Sequence, residues 1–304
     1  MANVELRYLQ YFVAVAEELN FGRAANRLQI AQPPLSRQIR RLERELGVEL
    51  LRRSSRRVEL TAAGQAFLEE SRRILAQVEQ AVLVAQRASR GEIGRLVVGF
   101  EGSFSYDVLP FSLKAYQEQF PDVELVVQEM TTIVQGQVLE ARGIEIGFIV
   151  PPLDNPQLIT ETVWREHLVL VVSETNPLAV QPEVRLLDLA NEPFVAGSYE
   201  HGCGLFVQVV QICRQAGFNP TIVQETNEIQ MLLGFIAAGM GISLLPASVR
   251  HYQRPGVVYR TLQPPAPEIE LAIVWQQNNS SPVLQRFINM VREFVRQNFR
   301  ASST

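Results

Sequence analysis

Apolar residues at Leu6, Leu9, Phe12, Val13, Ala16 and Leu19 recur at three- and four-residue intervals, the spacing that turns one face of an α-helix into a core. Asn20 is placed to cap a second, short helix over 21–28, in which Ala24 and Ala25 let a neighbour approach closely. Residues 29–32 must turn the chain, because Pro33 and Pro34 suit a first helical turn and little else. A third helix then runs to about Leu46, with Leu35, Ile39, Leu42 and Leu46 as its buried stripe and Gly47 as its stop. Two short apolar ends around Arg52-Arg53-Ser54-Ser55-Arg56-Arg57 predict a hairpin with a basic tip, a wing, over 50–60. From Thr61 to about Arg90 there is no proline, and no glycine after Gly64, while Leu68, Leu75, Val78, Val82 and Ala85 keep a helical stripe. That predicts one long helix whose apolar stripe is a candidate dimerisation surface. Packing on its own domain is the other reading of the same stripe.

After Gly91 and Gly94 the texture changes. Apolar, β-branched runs at 96–100, 123–127, 146–150, 168–172 and 269–275 alternate with helical stretches at 105–120, 133–141, 204–216, 229–238 and 282–299. Short apolar strands separated by helices predict largely parallel sheets covered on both faces. The fold class expected is an all-α winged helix-turn-helix domain at 1–60, a linker helix at 61–90, and an α/β domain at 91–304.

Composition narrows the function. With 304 residues, 47% of them hydrophobic and 20% charged, the chain is globular rather than disordered. No apolar run approaches the roughly 18 to 20 residues of a membrane span. The N-terminus, MANVELRYLQ, has no basic head before an apolar core, so a cytoplasmic protein without a membrane partner is expected. The net charge of −4 hides an asymmetry: residues 1–90 hold 15 Arg and 10 Glu, whereas the remainder carries the acidic excess. A basic first third on an acidic body suits a polyanion partner met only by the N-terminal segment. A solvated Arg/Glu helical surface would give the same count. Two short helices joined by a tight turn fit a B-DNA major groove. Gln32, Ser36 and Arg37 are the base-reading candidates, since Gln pairs with adenine and Arg with guanine. Arg40, Arg41 and the wing residues Arg53, Arg56 and Arg57 are the phosphate candidates. An enzyme is not expected: His167, His201 and His251 lie in no nucleophile elbow, phosphate loop or metal spacing, and no cofactor motif is present.

The run Phe21-Gly22-Arg23-Ala24-Ala25-Asn26-Arg27-Leu28, then Gln32-Pro33-Pro34-Leu35-Ser36-Arg37-Gln38-Ile39-Arg40-Arg41-Leu42-Glu43, Leu46-Gly47 and Leu60-Thr61-Ala62-Ala63-Gly64, resembles the LysR-type transcriptional regulators. Asn20 and Leu51 depart from the usual Ser and Phe. Pro34 and the run Gly234 to Pro246 resemble the subgroup that controls aromatic-compound degradation. The resemblance implies a dimer through the linker helix, a tetramer as a dimer of dimers on promoter DNA, and a regulatory domain of two lobes like periplasmic binding proteins. Lobe I would take about 92–163 and 268–304, lobe II about 166–264, with a small-molecule effector between them. Ser103, Thr131 and Thr132 follow strands and precede helices, which makes each a helix cap or part of an anion site. In muconate-responsive relatives a Ser and a Thr matching Ser103 and Thr132 hold a carboxylate. Val150, however, stands where those relatives carry Arg, so a smaller monocarboxylate or a more apolar ligand is implied. Phe104, Ile149, Val150, His201 and Gly202 complete the expected effector site. A second reading is redox sensing by Cys203 and Cys213, which resemble paired cysteines of peroxide-sensing members, with a thiolate favoured by His201 or by the helix start at Gly204.

Overall fold

The computed structural model describes residues 4–54, 57–102, 108–198 and 200–298, in two compact units, Met1–Arg87 and Ala88–Thr304. The first contains α1 (Leu6–Glu18), α2 (Phe21–Arg27), α3 (Gln32–Leu46), the antiparallel hairpin β1 (Leu51–Arg53) and β2 (Val58–Leu60), and α4 (Ala62–Ser89). Asn20 caps α2, its side-chain oxygen accepting the Arg23 N–H at 3.0 Å. Both prolines sit in the first turn of α3, where their missing N–H groups cost nothing, and Gly47 closes the helix in the left-handed region at φ 69°. Phe12, Leu35, Ile39, Leu42 and Leu50 are fully buried in one core, each worth about 1.5–3 kcal/mol of transfer free energy. Glu43 ties the hairpin to α3: its carboxylate accepts the N–H groups of Leu50 and Leu51, each at 3.1 Å, and the Arg53 guanidinium at 2.6 Å. Thr61 starts α4, donating to the Glu49 carbonyl at 2.7 Å and accepting the Gly64 N–H at 2.9 Å.

The second unit holds β3 (Gly94–Phe100), α5 (Val108–Gln119), β4 (Val123–Glu129), α6 (Thr132–Glu140), β5 (Ile146–Ile149) and the 16-residue β6 (Leu158–Ser173). There follow β7 (Glu183–Val184), β8 (Pro193–Ala196), α7 (Gly204–Gln215), β9 (Thr221–Glu225), α8 (Ile229–Ala237), β10 (Ser243–Pro246), β11 (Val257–Leu262), β12 (Glu268–Gln276) and α9 (Pro282–Asn298). The strands run β4-β3-β5-β12-β6-β11-β7, with β10 also paired to β6 and β8 paired to β9. Over Leu158–His167, β6 pairs with β12; from Leu168 to Ser173 it pairs with β10 and β11 instead. One continuous strand thereby belongs to two α/β lobes. Tyr116 and Phe148 pack edge-on against Phe287 in one lobe, at 5.1 and 6.1 Å between ring centroids. Val171, Val195, Leu233 and Ile236 form the packed centre of the other.

The sheets are mixed rather than largely parallel, which corrects the sequence expectation. β3–β4, β3–β5, β7–β11 and β8–β9 are parallel, but β6 and β12 run antiparallel to each other and to their other neighbours. The mixing comes from β12, which enters from the end of the chain between β5 and β6 and runs antiparallel to both. No helix among the described residues is long and apolar enough to cross a membrane.

Glu17 is the polar tie of the first unit, accepting from Arg27 at 2.7 Å and from Arg72 at 2.6 Å, and so joining α1 to α2 and α4. The hydrogen bond from Arg72, then that from Arg27, holds its carboxyl below the usual carboxylate range. A depressed folded value means the contribution is complete above the ordinary glutamate range and is lost as pH falls through the lowered one. Glu17→Gln should therefore lower the melting temperature at neutral pH, by the equivalent of about 1 kcal/mol or less for so exposed a pair. Calorimetry of both proteins checks this: the difference should shrink to nothing in acid, and a constant difference would contradict it.

Candidate functional site

α3 presents two unlike faces. Leu35, Ile39 and Leu42 are buried, whereas Gln32, Pro33, Arg37, Arg40 and Arg41 are exposed and Pro34 and Ser36 half-buried. Arg37 and Arg40 have no carboxylate partner within 4 Å among the described residues, nor does Arg44 one turn further along. The three occur at i, i+3 and i+7, so they lie on one helical stripe. The sequence reading missed Arg44, although this spacing was its signal. Two nominated arginines are engaged within the chain. Arg41 pairs with Glu45 at 2.9 Å and lies over the Tyr8 ring at 5.5 Å. Arg53 pairs with Glu43 and lies over the Phe21 ring at 5.0 Å, so its guanidinium serves the local fold first. Arg57 is exposed at the hairpin, its N–H bonded to the Ser54 hydroxyl at 3.0 Å. Arg56 lies outside the described residues.

The second unit encloses a cavity of about 550 Å3. One lobe contributes the end of β3 and the β4–α6 turn, with Glu101, Glu129 and Thr131; the other contributes α7, α8 and β8–β10, with Phe194, Leu205 and Val209 among an apolar majority. Its charged lining residues are Glu101, Glu129 and Glu228; no Arg, Lys or His is among them. Glu101 directly follows β3 and is 5% exposed. Its Oε2 accepts the Thr132 N–H at 3.0 Å, the Thr132 hydroxyl at 2.6 Å and the Gly204 N–H at 3.1 Å. Its Oε1 accepts the Leu205 N–H at 3.1 Å and the Cys203 thiol at 3.4 Å. The carboxylate therefore closes the N-terminal ends of α6 and α7, one from each lobe, satisfying donors that a helix start leaves open. Gly204 lets the start of α7 pack against Val150 and Thr132, because a Cβ there would lie 1.9 Å from the Val150 carbonyl oxygen and 2.7 Å from the Thr132 hydroxyl oxygen.

The structure brings only part of the expected effector set to the wall of this cavity. Thr131 lines the cavity, and its buried hydroxyl oxygen has no partner. Thr132 does not line it: its hydroxyl is 2.6 Å from Glu101 and accepts the Val150 N–H at 3.2 Å. Ile149 and Val150 are fully buried behind it. His201 is exposed, with Nδ1 2.8 Å from the Ser198 hydroxyl, and the Gly202 carbonyl accepts the Ile133 N–H at 3.4 Å. Neither is at the cavity wall. Ser103 and Phe104 lie outside the described residues. Glu101 itself was missed, a lone charge at the end of the apolar run Leu96 to Phe100.

The redox reading is also corrected. Burial and the Glu101 carboxylate push the Cys203 thiol far above the ordinary thiol range, and burial pushes Cys213 up to about 11. A reactive cysteine needs the opposite shift. The two stand at the N-cap and in the last turn of α7, so ten helical residues, about 15 Å, separate them. A disulfide needs Cα atoms within about 7 Å.

Family models match both units: "Bacterial regulatory helix-turn-helix protein, lysR family" over residues 6–65, and "LysR substrate binding domain" over residues 89–296. The HTH-type transcriptional regulator AlsR of Bacillus subtilis (strain 168) is 42% identical, over 94% of this chain and 95% of its own. The Hca operon transcriptional activator HcaR of Escherichia coli (strain K12) is 34% identical, over 95% and 98%. Full-length CbnR complexed with its target DNA superposes with a TM-score of 0.84 at 32% identity, over 96% of this chain and 100% of that one. Full-length BenM gives 0.60 at 34% identity, over 97% and 96%.

The thiol environments predict that neither cysteine alkylates with iodoacetamide at neutral pH in the native protein, while both do so in denaturant. Mass spectrometry reads the adducts; rapid labelling of the folded chain at Cys203 would contradict the buried pairing with Glu101.

Proposed function

Because the chain belongs to the LysR family, and is thus a DNA-binding transcriptional regulator with an effector-binding domain and not an enzyme, we propose that α3 reads promoter DNA and that the acidic cavity of the second unit takes the effector. The observation that carries the DNA assignment is the stripe Arg37, Arg40 and Arg44 opposite the fully buried Leu35, Ile39 and Leu42. Gln32, Ser36 and Arg37, at the helix start, meet base edges; Pro33 and Pro34 fix the angle of entry. Arg40, Arg44 and Arg57 meet phosphates, which position the protein without specifying sequence. Arg41 and Arg53 act mainly by holding α3 and the hairpin in place.

The protein works as an oligomer in the cytoplasm, and a second copy of the chain covers α4. Ile74, Val78 and Val82 recur every four residues along this 28-residue helix and are 36 to 51% exposed, an apolar stripe that suits helix pairing. A tetramer, a dimer of such dimers, brings two recognition pairs to one promoter. Pro34 and the run Gly234 to Pro246, with the likeness to CbnR and BenM, support a place beside the subgroup that controls aromatic-compound degradation. Effector binding in the cavity bridges both lobes and so biases their relative arrangement.

Fluorescence anisotropy over a range of KCl concentrations tests the DNA roles. Arg37→Ala should cost about 1–3 kcal/mol on the promoter fragment and little on random duplex, whereas Arg40→Ala and Arg44→Ala should weaken both alike and reduce the salt slope by about one. Equal losses on both duplexes for Arg37→Ala would remove it from base reading. Sedimentation of Val82→Glu should show dissociation at concentrations where the wild type associates; unchanged assembly would exclude the α4 stripe.

A further inference from the structure

Glu101 puts a carboxylate of the chain's own where two helix starts converge. Every contact to its two oxygens is a donor: the N–H groups of Thr132, Gly204 and Leu205, the Thr132 hydroxyl and the Cys203 thiol. Three backbone N–H groups and a hydroxyl, drawn from the starts of a nine-residue and a twelve-residue helix, make the donor set expected of a site for a small carboxylate. The occupant is covalently attached, so its effective concentration exceeds anything that a free metabolite reaches. The remaining charge of the cavity has the same sign, from Glu129 and Glu228, both exposed, and among the described lining residues no cation offsets it. A free carboxylate entering here would have to displace Glu101 and leave two buried or crowded anions, a costly outcome in a cavity lined by an apolar majority.

We propose that Glu101 is the internal anion of this site and sets its selectivity: the cavity refuses carboxylates and takes an uncharged or cationic molecule with an apolar body and a hydrogen-bond-donating head. The head donates to Glu129 and Glu228, since five donors already occupy the Glu101 carboxylate, while Phe194, Leu205 and Val209 enclose the body. Thr131, whose hydroxyl oxygen is buried without a partner beside them, donates to or accepts from the same head. This rests on the cavity being the effector site; the selectivity itself is a property of the cavity and is measured apart from DNA. It replaces the small carboxylate implied by resemblance with the opposite charge class.

Thermal melts of the full-length protein test it. Glu101→Ala empties the donor set, and acetate, titrated against chloride at matched ionic strength, should raise the melting temperature of this variant by about 3 °C or more while leaving the wild type unmoved. An acetate shift in the wild type as large as in the variant, or none in either, overturns the proposal. A second arm uses the wild type alone, so it survives a variant that does not fold. 2-Phenylethanol or 2-phenylethylamine should stabilise the protein more than phenylacetate does; equal shifts for all three, zero included, overturn it. If acetate rescues Glu101→Ala but no cavity ligand alters promoter binding, the selectivity stands and the effector role of the cavity falls.

Discussion

A helix that reads DNA must be anchored by one face and bare on the other, and that constraint organises the first unit. α3 is 15 residues long, too short to persist alone in water. It is held by Leu35, Ile39 and Leu42, all without exposed surface, against the core that Phe12 and Leu50 share. Because 3.6 residues make a turn, anchoring those positions necessarily turns Arg37, Arg40 and Arg44 outward. The ends are fixed as firmly as the face. Two prolines set the start, Gly47 sets the stop, and Glu43 bonds to the first backbone groups of the hairpin.

The second unit solves a different problem, that of making two lobes meet without leaving helix starts unsatisfied in the interior. Both lobes share β6, and both send a helix N-terminus to the same point. Water could satisfy such donors, but a buried carboxylate does so with charge-assisted bonds. Glu101 thus holds the lobes at the place where the cavity opens, and the same carboxylate gives that cavity its polar wall. The residue that ties the two helix starts is thus also one of the cavity's charged lining residues.

Strong periodicity was legible in the sequence and weak periodicity was not. α1 to α9 follow from apolar spacing with Asn20, Thr61 and Gly47 as punctuation, and β3, β4, β5, β12 and the second half of β6 follow from β-branched runs. The first half of β6, Thr160-Glu161-Thr162-Val163-Trp164-Arg165-Glu166, has a partly exposed face and too few apolar residues to stand out. β7 to β11 are two to six residues long and, unlike the equally short β5, carry no β-branched apolar run that stands out from their surroundings. Long-range facts were harder still. Nothing local in Glu101 says that residues 132, 204 and 205 will bond to it, so Thr132 reads as an effector ligand although its hydroxyl is already taken. The cysteines likewise look like a redox pair until burial and ten residues of helix separate them from that chemistry.

Sequence-selective DNA binding by the first unit within the intact protein is the central claim. Its most direct measurement is the ratio of dissociation constants of full-length protein for the best-bound member of a set of promoter fragments and for random duplex of equal length, at physiological salt. Promoter binding should be tighter by about a thousandfold or more, with both affinities falling as salt rises. A ratio near one would contradict it.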